Sequence, residues 1–120
     1  MDTSFKHNFA YCQTQSSRLF IVGGGDVKQP ELPSLISTFE IIYTENGPLK
    51  TVKKGSLQFA RHGHSLTSIR DKFLIVTGSC IELRGAASSC EFYNIELDTW
   101  FPQPSMNKGR YYHASCVFND

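Results

Sequence analysis

"RLFIVGGGDVKQPELP", Arg18 to Pro33, runs from four large apolar side chains into three consecutive glycines. The stretch has two physical readings. It is either a strand that hands a phosphate to a glycine-rich loop, or a strand whose own packing demands glycine. A dinucleotide-binding loop needs G-x-G-x-x-G followed directly by a helix, because amides at the helix N-terminus hold the phosphate. Here Gly23, Gly24 and Gly25 are followed by Asp26, Val27 and Lys28 and then "QPELP", which cannot open a helix with the glycines set on a phosphate. The same strand returns as "FLIVTGS" (73–79), with Thr77 in place of the first of the two paired glycines. A phosphate cradle gains nothing from an imperfect duplicate in one small domain. The glycines therefore end a strand where neighbouring atoms leave no room for a side chain, or where φ turns positive.

The repetition extends well beyond that strand. A shift of 54 residues lays 7–24 over 61–78 without a gap. A shift of 51 lays "STFEIIY" (37–43) over "SSCEFYN" (88–94) and matches Glu40 with Glu91. A shift of 49 lays "LQFARHGHS" (57–65) over "MNKGRYYHA" (106–114), matching Arg61 with Arg110 and His64 with His113. The offset drifts only where loops fall. A period near 50 residues is that of repeat architectures such as propeller blades.

The apolar stretches are short, rich in Ile, Val, Phe and Tyr, and bounded by Gly, Pro, Asn or Asp, as strands are. No segment shows helical periodicity, so the class is all-β. "RLFIVGG" (18–24), "STFEIIY" (37–43), "KFLIVTG" (72–78) and "CEFYNIE" (90–96) all read as strands.

At 120 residues the chain has the length of one modest domain, and its 12 Lys and Arg against 11 Asp and Glu leave a net charge of +1. That balance gives no electrostatic reason to expect nucleic acid or an acidic membrane as partner. The opening "MDTSFKHNFA" lacks the apolar core of a signal peptide, and no apolar stretch approaches the length of a membrane span. Four cysteines (Cys12, Cys80, Cys90 and Cys116) without a C-x-x-C pair read as buried free thiols in a reducing compartment, so the expected location is cytoplasmic.

With the repeat exposed, the chain resembles the kelch family. That unit has an apolar strand ending in two glycines, an acidic residue and Tyr in a later strand, then Trp, then Met-x-x-x-Arg-x-x-His leading into the next unit. The second unit matches closely with Gly78, Glu91, Tyr93, Trp100, Met106, Arg110 and His113. The first is looser: Gly23, Gly24, Glu40, Arg61 and His64 are present, but Ile42 holds the Tyr slot, Leu57 the Met slot, and Thr51 lies near the Trp slot. The resemblance implies two four-stranded antiparallel blades plus the first strand of a third, an incomplete β-propeller. Blade one is expected over about 7–55, blade two over about 61–103, and the start of blade three over about 110–120. Propellers close with roughly 4–8 blades. The chain is thus expected to be part of a larger ring, or to self-associate through its exposed blade faces.

The candidate residues read structurally before they read chemically. The fixed fork of donors on Arg61 and Arg110 suits several backbone carbonyls at once, tying loops together. His64 and His113 then begin buried strands as hydrogen-bonded core residues. His62 and His64 lie on one face of a strand and could chelate a metal, but no third ligand has a recognisable spacing, and the counterpart of His62 is Tyr111. Tyr93 and Trp100 read as blade-packing aromatics and Met106 as a gap-filler. No nucleophile elbow is present. No metal or cofactor is expected, and the chain is not expected to be an enzyme.

What remains is the loop face, where variable loops on a rigid scaffold carry recognition. Its exposed polar candidates are Asp26, Lys28, Gln29, Glu31, Glu82, Arg84 and Lys108, in the segments 25–37, 55–61, 78–88 and 101–109. The expected function is protein–protein interaction through this face. The resemblance suggests a cytoskeletal protein or a ubiquitin-ligase substrate as partner. Two alternatives stand beside it: a fragment of a propeller enzyme akin to copper radical oxidases, and a purely structural set of blades.

Overall fold

The computed structural model describes residues 6–7, 9–26, 36–43, 45–47, 49–81 and 85–117. Among these residues there are ten strands and no helix. In chain order they are β1 (Lys6–His7), β2 (Ala10–Gln13), β3 (Leu19–Val22), β4 (Gly25–Asp26), β5 (Thr38–Ile42), β6 (Lys50–Lys53), β7 (Ser65–Ile69), β8 (Phe73–Ile81), β9 (Gly85–Asn94) and β10 (Thr99–Gln103). Two four-stranded antiparallel sheets result, β2-β3-β5-β6 and β7-β8-β9-β10, each a meander that follows the chain. The short β1 pairs with β4.

Alternation along each strand sorts the side chains into two faces per sheet. In the first sheet Cys12, Phe20, Glu40 and Val52 stand opposite one another on one face, with Val22 and Thr38 beside them. In the second, Leu66, Val76 and Glu91 share a face with Leu74, Tyr93 and Trp100. These two faces meet. Phe20, Val22, Leu74, Val76 and Tyr93 are completely withdrawn from water, in one cluster with Leu57, Ile95 and Trp100. Phe20 meets the Tyr93 ring edge-on at 6.1 Å, and Tyr93 leans on Trp100 at 4.9 Å. Burying each such apolar side chain contributes roughly 1.5–3 kcal/mol, so this seam is the energetic centre of the molecule.

The three-dimensional repeat differs by one residue from the repeat read along the sequence. Gly23 and Gly78 both have positive φ, +66° and +72°. The next amide in each case, Gly24 N–H or Ser79 N–H, donates to the carbonyl of Arg61 or Arg110. Gly23 is therefore the counterpart of Gly78, a shift of 55 (78 − 23) rather than 54. Val22 and Thr77 are then equivalent. Their ladder partners Thr38 and Cys90 fix the third strand at a shift of 52 (90 − 38), not 51. One residue matters because it moves a strand side chain to the other face. Phe39, not Glu40, holds the place of Glu91, and Ile41 rather than Ile42 holds that of Tyr93. The shift of 49 survives in the fourth strand and beyond, so Thr51 holds the place of Trp100 and Leu57 that of Met106.

One further expectation is corrected. Residues 78–88, read as a loop, are largely a hairpin: β8 runs on to Ile81 and β9 starts at Gly85. A register shift between Thr77 and Ser79 absorbs the positive φ of Gly78, and the ladder resumes beyond it. "YYHASCVF" carries no ladder among its described residues 111–117. A ladder requires a partner strand, and no described segment pairs with these residues. They lie against the second sheet instead, where Ser115 meets the hydroxyls of Ser65 and Thr67.

Candidate functional site

The meander topology sends the connections to two ends of the sheets. One end carries residues 24–26, 36–37, 54–64, the ends of β8 and β9 at Ile81 and Gly85, and 104–113; the other carries the turns 14–18, 70–72 and 95–98. At the first end the segment leading from one sheet to the next is built around Arg61, whose side chain is 1% exposed. Its Nε and Nη2 both lie 3.0 Å from Glu91 Oε2, and Nη1 donates to the carbonyls of Gly78 (3.0 Å) and Ser89 (2.9 Å). Glu91 in turn accepts the amides of Gln58 (2.6 Å) and Phe59 (3.4 Å). A buried carboxylate satisfied on both oxygens and a buried guanidinium facing it together clamp residues 58–61 onto β9.

The next contact joins the two sheets. His64 Nε2–H donates to the Val22 carbonyl at 2.8 Å. The His64 ring and the Arg61 carbonyl leave no space at Gly23, where a Cβ would stand 2.6 and 2.8 Å from them. The arrangement recurs one unit later. His113 Nε2 is 2.7 Å from the Thr77 hydroxyl, and a Cβ on Gly78 would stand 2.7 Å from the His113 ring and closer still to the Arg110 carbonyl. Burial, with Arg110 nearby, holds His113 below the ordinary histidine pKa.

Trp100 Nε1–H reaches across the seam to the Thr38 hydroxyl (3.0 Å) and the Gly55 carbonyl (3.1 Å). Tyr93 donates its hydroxyl to Asp98 Oδ1, which also accepts the Gly55 amide at 2.7 Å. Burial and the Asp98 carboxylate push the Tyr93 phenol well above its ordinary range. Burial works against ionised Asp98, but the bonds from Tyr93 and Gly55 outweigh it and leave its pKa lowered. Glu40 lies on the opposite face from Glu91. It pairs in two bonds with Arg18, at 2.7 and 2.8 Å, and lies 3.7 Å from Lys54.

Arg18 and Asp98 are not among the candidate residues of the sequence: Arg18 lies in the repeat, over Lys72, but neither it nor Asp98 holds a slot of the motif. The turn signal around Asp98 in "IELDTW" was the one available clue. Arg18 also borders a cleft of ≈ 500 Å³ at the second end, with Asp71, Lys72, Asn94 and Glu96. That end was not expected to carry a site.

Of the expected partner-binding residues, Lys108 is exposed at the first end. Asp26 lies there too, its backbone paired with Lys6. Lys28, Gln29, Glu31, Glu82 and Arg84 lie outside the described residues. Met106 is half-buried, its amide bonded to the Ser88 carbonyl. Among the described cysteines, Cys90 is buried, but Cys116 is exposed, contrary to the expectation of buried thiols. Burial pushes the Cys12 thiol up to about 12. No group of three His, Cys, Asp or Glu suited to a metal occurs among the described residues. No helix among them is long and apolar enough to cross a membrane.

No family model and no curated protein sequence matches the chain. Solved structures do. The structure of YjhT matches with a TM-score of 0.75 at 14% identity, over 98% of this chain and 33% of that one. A fungal alcohol oxidase of the AA5 family, solved in complex with copper, matches with a TM-score of 0.71 at 11% identity, over 88% of this chain and 23% of that one. Both are propeller proteins of the kelch type. The fold is that of propeller blades. The first sheet is thus blade one and the second blade two, and the chain spans a third or less of either neighbour.

Proposed function

We propose that this chain is the part of a kelch-type propeller that binds a partner protein through the end carrying residues 24–26, 36–37, 54–64, the ends of β8 and β9, and 104–113, without catalysing a reaction. One observation carries the reading. The polar groups of the repeated motif are spent on one another: Arg61 on Glu91, His64 on Val22, and Trp100 on Thr38 and Gly55. They hold a rigid frame, which leaves recognition to what the frame presents. The β8–β9 ladder supports this reading, since it resumes past the bulge at Gly78 and continues to Ile81 and Gly85. The free thiols of Cys12, Cys90 and Cys116 agree with a cytoplasmic setting.

The test compares the two ends of the blades. Partners captured by the unaltered chain are compared with those captured after residues 82–84 are replaced by Gly-Ser-Gly, and after the second end is altered by Lys72→Glu with Glu96→Lys. Loss of a partner with the hairpin replacement and its retention with the charge swap support the reading. The reverse pattern refutes it and moves the binding surface to the cleft beside Arg18.

A further inference from the structure

The cleft of ≈ 500 Å³ that Arg18 borders lies at the second end, where the two blades meet, and its size is within the roughly 300–1,000 Å³ of small-molecule sites. Arg18 comes from blade one. Asp71, Lys72, Asn94 and Glu96 come from blade two, and Phe73 and Ile95 supply the apolar part of the wall. Hydrogen bonds fix the backbone around it. Lys72 N–H donates to the Ile69 carbonyl, Ile95 N–H to the Lys72 carbonyl and Leu97 N–H to Asn94 Oδ1, each at 3.0 Å. Ser16 N–H crosses between the blades to Asp71 Oδ1 at 3.1 Å.

The turns that build this end keep side chains where glycine would be easier. Four of the five described non-glycine residues with positive φ lie in them: Ser17, Arg70, Asp71 and Asp98. Arg70 and Asp71 are the central pair of a hairpin turn, at +53° and +58°, where Asn-Gly is the ordinary choice. At the first end, left-handed positions fall to Gly23, Gly24 and Gly63, with Tyr112 the exception. Backbone strain of this kind gathers at ligand sites.

Charge decides what the cleft can hold. Arg18 has Nε and Nη2 on Glu40, and Asp71 has one oxygen on Ser16. Lys72 and Glu96 form no ion pair with a described residue. One wall thus carries an unpaired cation and an unpaired carboxylate. An inorganic anion at Lys72 would also meet Asp71 and Glu96, and no third metal ligand stands beside those two carboxylates among the described residues. A wholly apolar ligand would strip water from both charges and replace it with nothing. A molecule with an ammonium and a carboxylate on an apolar body satisfies both.

We infer that this cleft binds a small zwitterion, its carboxylate on Lys72, its ammonium on Glu96 and its apolar body against Phe73 and Ile95. An α-amino acid and a dipeptide share that chemistry and differ in the separation of their charges. The site lies at the end opposite the surface proposed for a partner protein and does not rest on that reading.

The test is an NMR titration of the isotope-labelled 120-residue chain with leucine and with leucyl-leucine, each also as its N-acetyl form and its C-terminal amide, and with glucose as a neutral comparison. Leucine or leucyl-leucine is expected to shift the amide signals of residues 70–73 and 94–96. The better of the two should bind roughly fivefold more tightly than either of its blocked forms, the effect of one exposed ion pair. Lys72→Met should remove the preference over the C-terminal amide and keep that over the N-acetyl form; Glu96→Gln should do the reverse. Both variants should keep the urea midpoint of the unaltered chain, since neither charge is paired within it. No shift from either zwitterion, blocked forms that bind as tightly, glucose moving the same signals as far, or variants that lose both preferences together would each overturn the inference.

Discussion

Arg61 and Glu91 meet at 3.0 Å in a setting that water does not reach, and both belong to blade two. The pair closes a blade on its own lead-in segment. It does not bridge the two blades, and the bridging falls to His64 and Trp100. The division explains why a buried ion pair is tolerated at this position. Glu91 also accepts two amides of the segment, and Arg61 donates to two carbonyls of the hairpin, so removing either side strands several groups at once.

Glu91→Gln is accordingly expected to destabilise the chain by about 3–5 kcal/mol, because Arg61 stays charged and buried. Arg61→Met with Glu91→Gln should cost less than the sum of the two single changes. Urea unfolding of the four proteins checks this. Additive losses would mean that the pair is not coupled as the geometry requires.

Gly23 and Gly78 answer to the same physics in each blade. At Gly23 alanine adds a left-handed conformation, costing roughly 1–2 kcal/mol, to a collision with the Arg61 carbonyl, which cannot move without breaking its bond to Gly24. Gly23→Ala is expected to cost at least about 3 kcal/mol. Gly63 is the control: its φ is also +66°, but the nearest atom to an added Cβ is the exposed Tyr112 ring at 3.2 Å, which can give way. Gly63→Ala should therefore cost only about 1 kcal/mol. Equal losses at the two positions would show that the collision is immaterial.

These glycines also mark how far the sequence could be read. The all-β class followed from short β-branched and aromatic runs between turn residues, and the four-strand unit from the resemblance to the kelch repeat. The packing role of the glycines followed from the imperfect duplicate at Thr77-Gly78. What misled was identity. Aligning Glu40 with Glu91 gives a tidy match, but the ladders pair Ile21 with Phe39 and Val76 with Glu91, which puts Phe39 at that place and turns Glu40 to the other face. A bulge leaves no periodic trace in a strand of Val, Thr, Gly and Ser. The hairpin at 79–87 was missed for the same reason, since its strands alternate small residues on both faces.

Trp100 is the single tryptophan and reports on the seam directly. Thr38→Val keeps the shape beside the indole and removes one of its two acceptors. The expected loss is about 1 kcal/mol, with the Gly55 carbonyl still holding the ring. Tryptophan emission should stay that of a buried indole in the native state. A red-shifted spectrum would show that the Thr38 hydroxyl, and not the packing of Tyr93, positions the ring.

Glu40 gives the chain a predictable response to acid. The two hydrogen bonds it accepts from Arg18 hold the carboxyl below the ordinary glutamate value even though burial opposes this, and Lys54 adds to the effect. A carboxyl whose folded pKa is lowered contributes stability above its unfolded pKa, about 4.3, and loses it as pH falls through the folded value. Arg18→Met removes the main cause of the lowered value, so this contribution is already absent at neutral pH and the variant loses less stability on acidification. Arg18 is 40% exposed, which limits the pair to roughly 1 kcal/mol near neutral pH. Urea midpoints of the two proteins should differ most above about pH 6 and converge below about pH 3. A difference that persists undiminished into acid would mean that Arg18 acts by packing over the Phe20 ring, 5.4 Å from its guanidinium, and not through the charge on Glu40.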